Sequence, residues 1–333
     1  MTEVLVTVTY GRRWRLLRQS LASSFREGVE RAIVVANGPC DTTAEALEAE
    51  FGGMAQLVQL EQNTGSAGGF AAGLEAAVRA GAENILLLDD DNTLEPGAMQ
   101  ALRGVYAELC RQTPPDSAIA LCYRTEQHFD VASGTTEHSA QLLPDSFLCF
   151  HLALVPVRLW RLLHRRRRTA ASPVLPPIVE RAVAPYGGMY FHRSLVERHG
   201  LPEREMVLYA DDIQFSYRVT SGGGKIWLAT GAGLADVELS WNARKSFGSG
   251  LEALLLGDSA MRAYYNCRNY NWFETRFTCR HPQLRRVNRM LCRFYLWQLA
   301  RRCGAMPRYR LLLRAMEDGE AGRLGVNPEF PLP

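Results

Sequence analysis

Lysine is almost missing from this chain: Lys225 and Lys245 are the only two among 38 basic residues. So strong an arginine bias follows from GC-rich coding as easily as from function, and with a net charge of only +3 the position of the arginines says more than their number. Paired cysteine is missing too. The eight cysteines form no Cys-x-x-Cys and no zinc-like spacing with histidine, so they read as reduced, packed thiols of a cytosolic protein rather than a disulfide or zinc framework. Nowhere do about 18 uncharged apolar residues run together, which excludes a recognisable spanning helix. The N-terminus goes straight into a strand pattern without a basic segment and apolar core, so no secretory leader is expected. No Gly-x-Gly-x-x-Gly follows the first strand and no Gly-Lys-Ser/Thr loop is present, so dehydrogenase and kinase readings lose most of their support. No nucleic-acid-binding motif accompanies the basic residues.

What is there is an enzyme-sized chain of 333 residues with 47% apolar and 22% charged residues, ordinary for a globular protein. Val4–Tyr10 is β-rich, and apolar spacing at Trp14, Leu17, Leu21 and Phe25 predicts a helix behind it. A strand over Arg31–Ala36, a helix through Glu50, a strand over Gln56–Leu60 and an alanine-rich helix to about Ala80 follow. This rhythm implies right-handed crossovers and a doubly wound, mostly parallel α/β sheet. The polar and glycine-rich turns after each strand would then share one sheet edge and frame a nucleotide-sized cleft.

The fourth strand, Asn84–Leu88, runs directly into Asp89-Asp90-Asp91. Three adjacent carboxylates repel one another, and alternation along an extended chain turns Asp89 and Asp91 to the same side. They fit a divalent-cation site, or a solvated turn in which Asp91 or Asn92 caps the helix opened by Glu95-Pro96-Gly97. The loop Gly65–Gly69 suits a backbone that approaches a ligand or turns tightly before a helix.

Taken in order, Thr9-Tyr10, Asn37-Gly38-Pro39-Cys40-Asp41, Asn63-x-Gly-x-Ala-Gly-Gly-Phe70 and Asp89-Asp90-Asp91 resemble the inverting family 2 glycosyltransferases of GT-A fold. The Ala67-Gly68-Gly69-Phe70 and triple-Asp forms are most similar to the galactofuranosyltransferase and rhamnosyltransferase branch. The resemblance assigns Thr9 and Asp41 to the nucleotide base and ribose, with Asn63 and Gly65 lining the donor site and Asn37 and Asp90 as further donor-binding candidates. Asp89 and Asp91 become the pair that meets the donor diphosphate through Mg²⁺ or Mn²⁺. Where relatives often carry Asp or a second Asn, the second strand here ends Ala36-Asn37.

After a helix over about Glu95–Gln112 and a strand around Ser117–Cys122, the pattern is irregular to about Pro185. Within it, Phe147–Phe150 and Leu159–Leu163 lead into His164-Arg165-Arg166-Arg167-Arg168, which suits an anionic membrane surface or a solvated basic loop. Further on, Tyr186–Phe191 reads as a strand and Arg193–His199 as a helix. Asp211-Asp212 opens another helix, where carboxylates are commonly caps. The resemblance makes Asp212 the general base and Asp211 its acceptor-orienting partner. It also implies a metal-ligating histidine after the strands Lys225–Ala229 and Leu234–Leu239. None occurs between His199 and His281, which leaves Asp236 or Glu238 as substitute oxygen ligands. Trp241–Gly250 is similar to a lid carrying Arg244 and Lys245 as diphosphate clamps. Tyr264-Tyr265-Asn266-Cys267-Arg268-Asn269 matches a further element of the branch, with Arg268 as a phosphate ligand or a buried structural arginine. Leu284–Cys303 is a basic amphipathic helix that docks on the protein or lies at a bilayer.

The expected layout is a GT-A domain over 1–250, with a nucleotide-binding half 1–122, an insertion 123–185 and a catalytic half 186–250. A helical region 251–318 and an extended tail 319–333 complete it. The expected activity is metal-dependent, inverting transfer from UDP-galactofuranose or, second, dTDP-rhamnose. The acceptor would be a glycan or polyprenyl-diphosphate-linked glycan in cell-surface polysaccharide synthesis. The resemblance and the basic segments together imply a cytoplasmic protein that contacts the inner membrane face and no nucleic acid. A nucleotidyltransferase acting on a sugar phosphate, or a scaffold that keeps the fold without catalysis, are the alternatives.

Overall fold

The structure is a computed structural model and describes residues 2–133, 142–156, 174–238, 247 and 249–333. It divides into an α/β unit (1–138, 175–240 and 325–333) and a helical unit (139–174 and 241–324).

In the α/β unit, β1 (Glu3–Gly11), β2 (Arg31–Cys40), β3 (Ala55–Leu60) and β4 (Asn84–Asp89) lie parallel in the order β3-β2-β1-β4. Helices α1 (Trp14–Arg26), α2 (Ala44–Phe51) and α3 (Gly65–Arg79) connect them. Successive strand residues face opposite ways, so Leu5 and Val34 join Leu17, Leu21 and Leu47 of α1 and α2 on one face. Val4, Val6, Ile33 and Val35 pack with Phe70 and Leu74 of α3 on the other. Each such fully buried aliphatic side chain contributes about 1.5–3 kcal/mol, which is why the central strands read as unbroken apolar runs.

The sheet then becomes mixed. After β5 (Asn92–Leu94), α4 (Ala98–Cys110), β6 (Ala118–Tyr123), α5 (Thr125–Ala132) and β7 (Ile178–Arg181), the chain returns as β8 (Met189–His192). β8 runs antiparallel to both β4 and β6. Its first residues therefore start at the edge where β4 ends, and Gly188 N–H donates to the Leu87 carbonyl at 2.8 Å. α6 (Ser194–His199) and α7 (Asp211–Ser221) follow, and Phe215 and Val219 of α7 anchor it to the same core as α3. The two strands expected between 225 and 239 are one, β9 (Lys225–Asp236). Its first half pairs with β6 and β7, and its end pairs with the three-residue β5, setting Asp236 opposite Asn92.

The helical unit contains α8 (Gly250–Leu256), α9 (Ala260–Phe273), α10 (Pro282–Arg302) and α11 (Met306–Ala321). The stretch expected to be an extended tail is helical through Ala321, and its last residues belong to the α/β unit, where Gly325 N–H donates to the Glu205 carbonyl at 2.7 Å. Phe147 and Leu148, proposed above for a membrane surface, are buried instead. Buried Glu274 accepts from the N–H groups of Leu148 and Cys149 at 2.6 and 2.8 Å, and the Arg285 guanidinium lies over the Phe147 ring. The arginine run 165–168 lies outside the described residues. None of the eight cysteines forms a disulfide, and no described helix is long and apolar enough to cross a membrane.

Candidate active site

The parallel register sets Asp89 beside Val8, so Thr9 and Asp90 extend next to each other from neighbouring strand ends. The Thr9 hydroxyl donates to Asp90 at 2.8 Å, and Arg13 grips the same carboxylate through Nε and Nη2, both at 2.8 Å. Asp90 and Thr9 are buried. The middle aspartate is thus a strut, and neither it nor Thr9 is open to a nucleotide, correcting both assignments. Arg13 also reaches Glu238 at 2.8 Å and Asp91 at 3.5 Å.

A second arginine serves the outer side of the cluster. Arg124 follows directly on β6, is nearly buried, and donates to the Gly187 carbonyl at 2.8 Å and to Asp236 at 3.2 Å, with Asp89 at 3.5 Å. Asn92 donates to Asp236 at 2.8 Å. Asp236 and Glu238, expected to replace the missing histidine at a metal, are therefore arginine partners. A side chain at Gly187 would collide with the Arg124 guanidinium, the Asn92 amide and the Asp89 carboxylate, so only glycine lets these groups converge.

Of the three strand-end aspartates, Asp89 and Asp91 keep exposed surface, whereas Asp90 is buried. The Asp91 carboxyl is pushed up to about 7 by burial and by the charges of Asp89, Asp90 and Asp236, with Arg13 pulling the other way. Burial and the charges of Asp90 and Asp236 raise Asp89 as well, against the pull of Arg124. Among the described residues no group of three or more His, Cys, Asp or Glu side chains is arranged to hold a metal ion. Asp89 and Asp91, each only 3.5 Å from an arginine, are two hard-oxygen donors of the kind that suit a cation such as Mg²⁺, which keeps waters and takes remaining ligands from substrate phosphates.

The second acid pair is built differently. Gly65, with φ of +74°, opens α3 where any side chain would strike the Val207 carbonyl oxygen, and Ala67 N–H donates to that same oxygen at 3.2 Å. Asn37 braces the loop, donating to the Gly65 carbonyl at 2.8 Å and accepting from Thr64 N–H at 2.9 Å. It is buried, so it supports the loop rather than a base, again a correction. Asn63 accepts from Gly65 N–H at 2.9 Å and donates to the Pro333 carbonyl at 2.9 Å. Asp41 is exposed and accepts from the N–H groups of Arg13 and Trp14, both at 3.1 Å, at the start of α1.

From this loop Ser66 donates to Asp211 at 2.9 Å. Val207, Tyr209 and Ala210 all hold positive φ (68°, 70° and 61°) just before α7. Non-glycine residues there cost about 1–3 kcal/mol each, strain that persists only where surrounding packing imposes it. Asp211 is 1% exposed, whereas Asp212 keeps part of its surface and accepts only from Ile213 N–H at 2.8 Å. Burial raises both carboxyls, and the charge of Asp211 raises Asp212 further. The charge of Asp89 adds to the rise of both carboxyls, and Arg124 pulls Asp212 the other way.

Arg244 and Lys245 lie outside the described residues. Arg268 is buried inside the helical unit over the Tyr264 and Tyr265 rings, with its Nε donating to Asn269 at 2.9 Å, so it is a packing residue and not a phosphate ligand. Ala67, Gly68, Gly69 and Phe70 are buried as well. Side chains at the two glycines would meet Thr64 and Val8, so this motif packs α3 on the sheet.

Sequence reasoning missed Arg13, Arg124, Ser66 and Gly187. Arg13 and Arg124 each follow a strand at the edge that carries the acids, which was the available signal. Ser66 and Gly187 sat inside segments already singled out, the Gly65–Gly69 loop and the strand from Tyr186, but their partners could not be read from position alone.

Residues 4–152 match the family model described as Glycosyl transferase family 2. No curated protein matches the chain. Among solved structures it is similar to GalNAc-T7 with UDP, GalNAc and Mn²⁺, at 11% identity over 71% of this chain and 44% of that one, with a TM-score of 0.48. It is also similar to S. aureus TarS 1–349 in complex with UDP, at 13% identity over 83% and 72% of the two chains, with a TM-score of 0.46. This chain spans less than half the length of the GalNAc-T7 chain.

Proposed function

We propose that the protein transfers a sugar from a nucleoside diphosphate to an acceptor hydroxyl by single displacement, inverting the anomeric carbon. The observation that carries this reading is the placement of both acid pairs around one strand end: Asp89 lies beside Val8, Gly69 of α3 packs on Val8, and Ser66 one turn earlier in α3 donates to Asp211. The family match over residues 4–152 supports the donor half of it.

In this reading Asp212 takes the proton as the acceptor hydroxyl attacks opposite the leaving diphosphate, so the hydroxyl is deprotonated as it becomes acidic. Asp211, held by Ser66, fixes the start of α7 and keeps Asp212 in place. Asp89 and Asp91 would hold Mg²⁺ or Mn²⁺, which supplies electrophilic stabilisation of the departing diphosphate. Arg13 and Arg124 hold Asp90, Asp236 and Glu238 so that the two outer carboxylates face the cleft together. Asp41 and Asn63, at the ends of β2 and β3, are the donor contacts we retain for the nucleoside.

The donor is UDP-galactofuranose first and dTDP-rhamnose second, on the resemblance of the Ala67–Phe70 segment, and the acceptor is a glycan or lipid-linked glycan. Incubation with a panel of nucleotide sugars and Mn²⁺ tests the proposal. Release of nucleoside diphosphate that Asp212→Asn abolishes is expected. Release of pyrophosphate from a sugar phosphate and a nucleoside triphosphate would instead make it a nucleotidyltransferase, and binding without turnover a scaffold.

A further inference from the structure

Helix α10 (Pro282–Arg302) is amphipathic in the reverse of the usual sense. Its inward face is held by polar anchors: Arg285 donates to Asn271 and Thr275, both at 2.7 Å, and Asn288 donates to the Asp145 carbonyl at 2.9 Å. Cys292, Leu296 and Ala300 complete that buried face. Leu284, Val287, Met290, Phe294 and Tyr295 are left outside, with Met290 62% and Phe294 56% exposed. These five are among eleven large apolar side chains exposed in the described residues, and no other element gathers them into a row.

At 1.5 Å per residue the row from Leu284 to Arg301 is about 25 Å long. Arg286 and Arg293 flank it, Arg301 and Arg302 end it, and α10 contains no acidic residue. Arg286, Arg293 and Arg302 form no ion pair among the described residues, whereas Arg289 is taken up by Glu320 at 2.6 Å. The one acid at the rim is Glu252, which accepts from the Tyr295 hydroxyl at 3.1 Å.

We propose that this face of α10 docks on an anionic lipid surface, apolar side chains entering the headgroup boundary and the arginines meeting lipid phosphates. The protruding row suits a flat, deformable surface better than a groove-binding peptide. A second copy would set arginine rows against each other with no acid in either helix to compensate. The proposal deepens the lipid-linked acceptor reading, on which its biological sense rests, but its physics does not use the active site.

The test is flotation of the full chain, without donor, with phosphatidylcholine vesicles and with vesicles that also contain phosphatidylglycerol. Binding to the anionic vesicles alone is expected, weakening as salt rises. Arg286→Gln with Arg293→Gln should weaken it roughly 30-fold. Met290→Ser with Phe294→Ser should weaken it on the order of 100-fold. Met290 and Phe294 are exposed, so the melting temperature of that variant should hold. Absence of binding, or equal binding by the Met290/Phe294 variant, overturns the proposal. So does a wild-type dimer in light scattering that becomes monomeric in that variant and never binds vesicles, which would give the face to a second copy. A protein that floats with vesicles yet hydrolyses no nucleotide sugar loses the transferase reading and keeps this one.

Discussion

The two acid groups of the α/β unit solve the problem of buried negative charge in opposite ways. Around Asp89, Asp90 and Asp91 stand two arginines in direct contact, so most of the charge is matched and the remainder faces outward. Around Asp211 and Asp212 no cation among the described residues is in contact; the Ser66 and Tyr186 hydroxyls and backbone N–H groups face them. The outward-facing remainder of a mostly matched site is the part suited to hold a cation. A site that leaves charge unmatched raises its carboxyls and is suited to accept a proton. In the proposed transfer the contrast suits donor binding at the strand end and base catalysis at the helix start.

The sharpest way to break that contrast is Asp212→Asn. Transfer should fall by roughly 10²–10⁴-fold while donor affinity measured by calorimetry stays near wild type. The same variant should melt higher than wild type at pH 8, because an uncompensated buried charge is gone; a lower melting temperature would mean that Asp212 is a structural ion-pair member. Arg124→Met should behave in the opposite way. It strands Asp89 and Asp236, and losing one partner of a buried pair costs about 3–5 kcal/mol, read as a drop in melting temperature that added Mn²⁺ partly restores.

Asp211→Asn sharpens the comparison through pH. The charge of Asp211 is one of the influences that raise Asp212, so removing it lowers the pH at which the base ionises. The acid limb of the kcat/KM profile should therefore move to lower pH, with a smaller loss of rate than Asp212→Asn; an unmoved limb would separate the two carboxylates. The smallest effect is expected from Ser66→Ala, which deletes one hydrogen bond to a charged group, worth about 1.5–3 kcal/mol, and should show as lower stability with donor affinity unchanged.

Much of the donor half was legible beforehand. Continuous apolar runs announced β1, β2 and β4, and the break into Asp89-Asp90-Asp91 marked the sheet edge that carries the acids. The short β5 was not, because three residues carry no periodicity and its partner lies at the far end of β9. For the same reason Asp236 and Glu238 were read as metal ligands: their distance from the acids was guessable, but not the arginines between. Thr9 and Asn37 fit the motif by type and position, yet their side chains turn into the protein and bond to Asp90 and to the Gly65 loop.

The chain's own letters were enough to determine an alternating α/β unit, an acid-bearing strand end and a second acid pair at a helix start, since all three are written in local periodicity and composition. Only tertiary structure decided which carboxylates are struts and which stay open, that Arg13 and Arg124 divide the acids between them, and that α10 turns its apolar face outward. Those outcomes depend on contacts between residues tens to hundreds of positions apart, where burial and charge act through space and leave no mark on the neighbouring sequence.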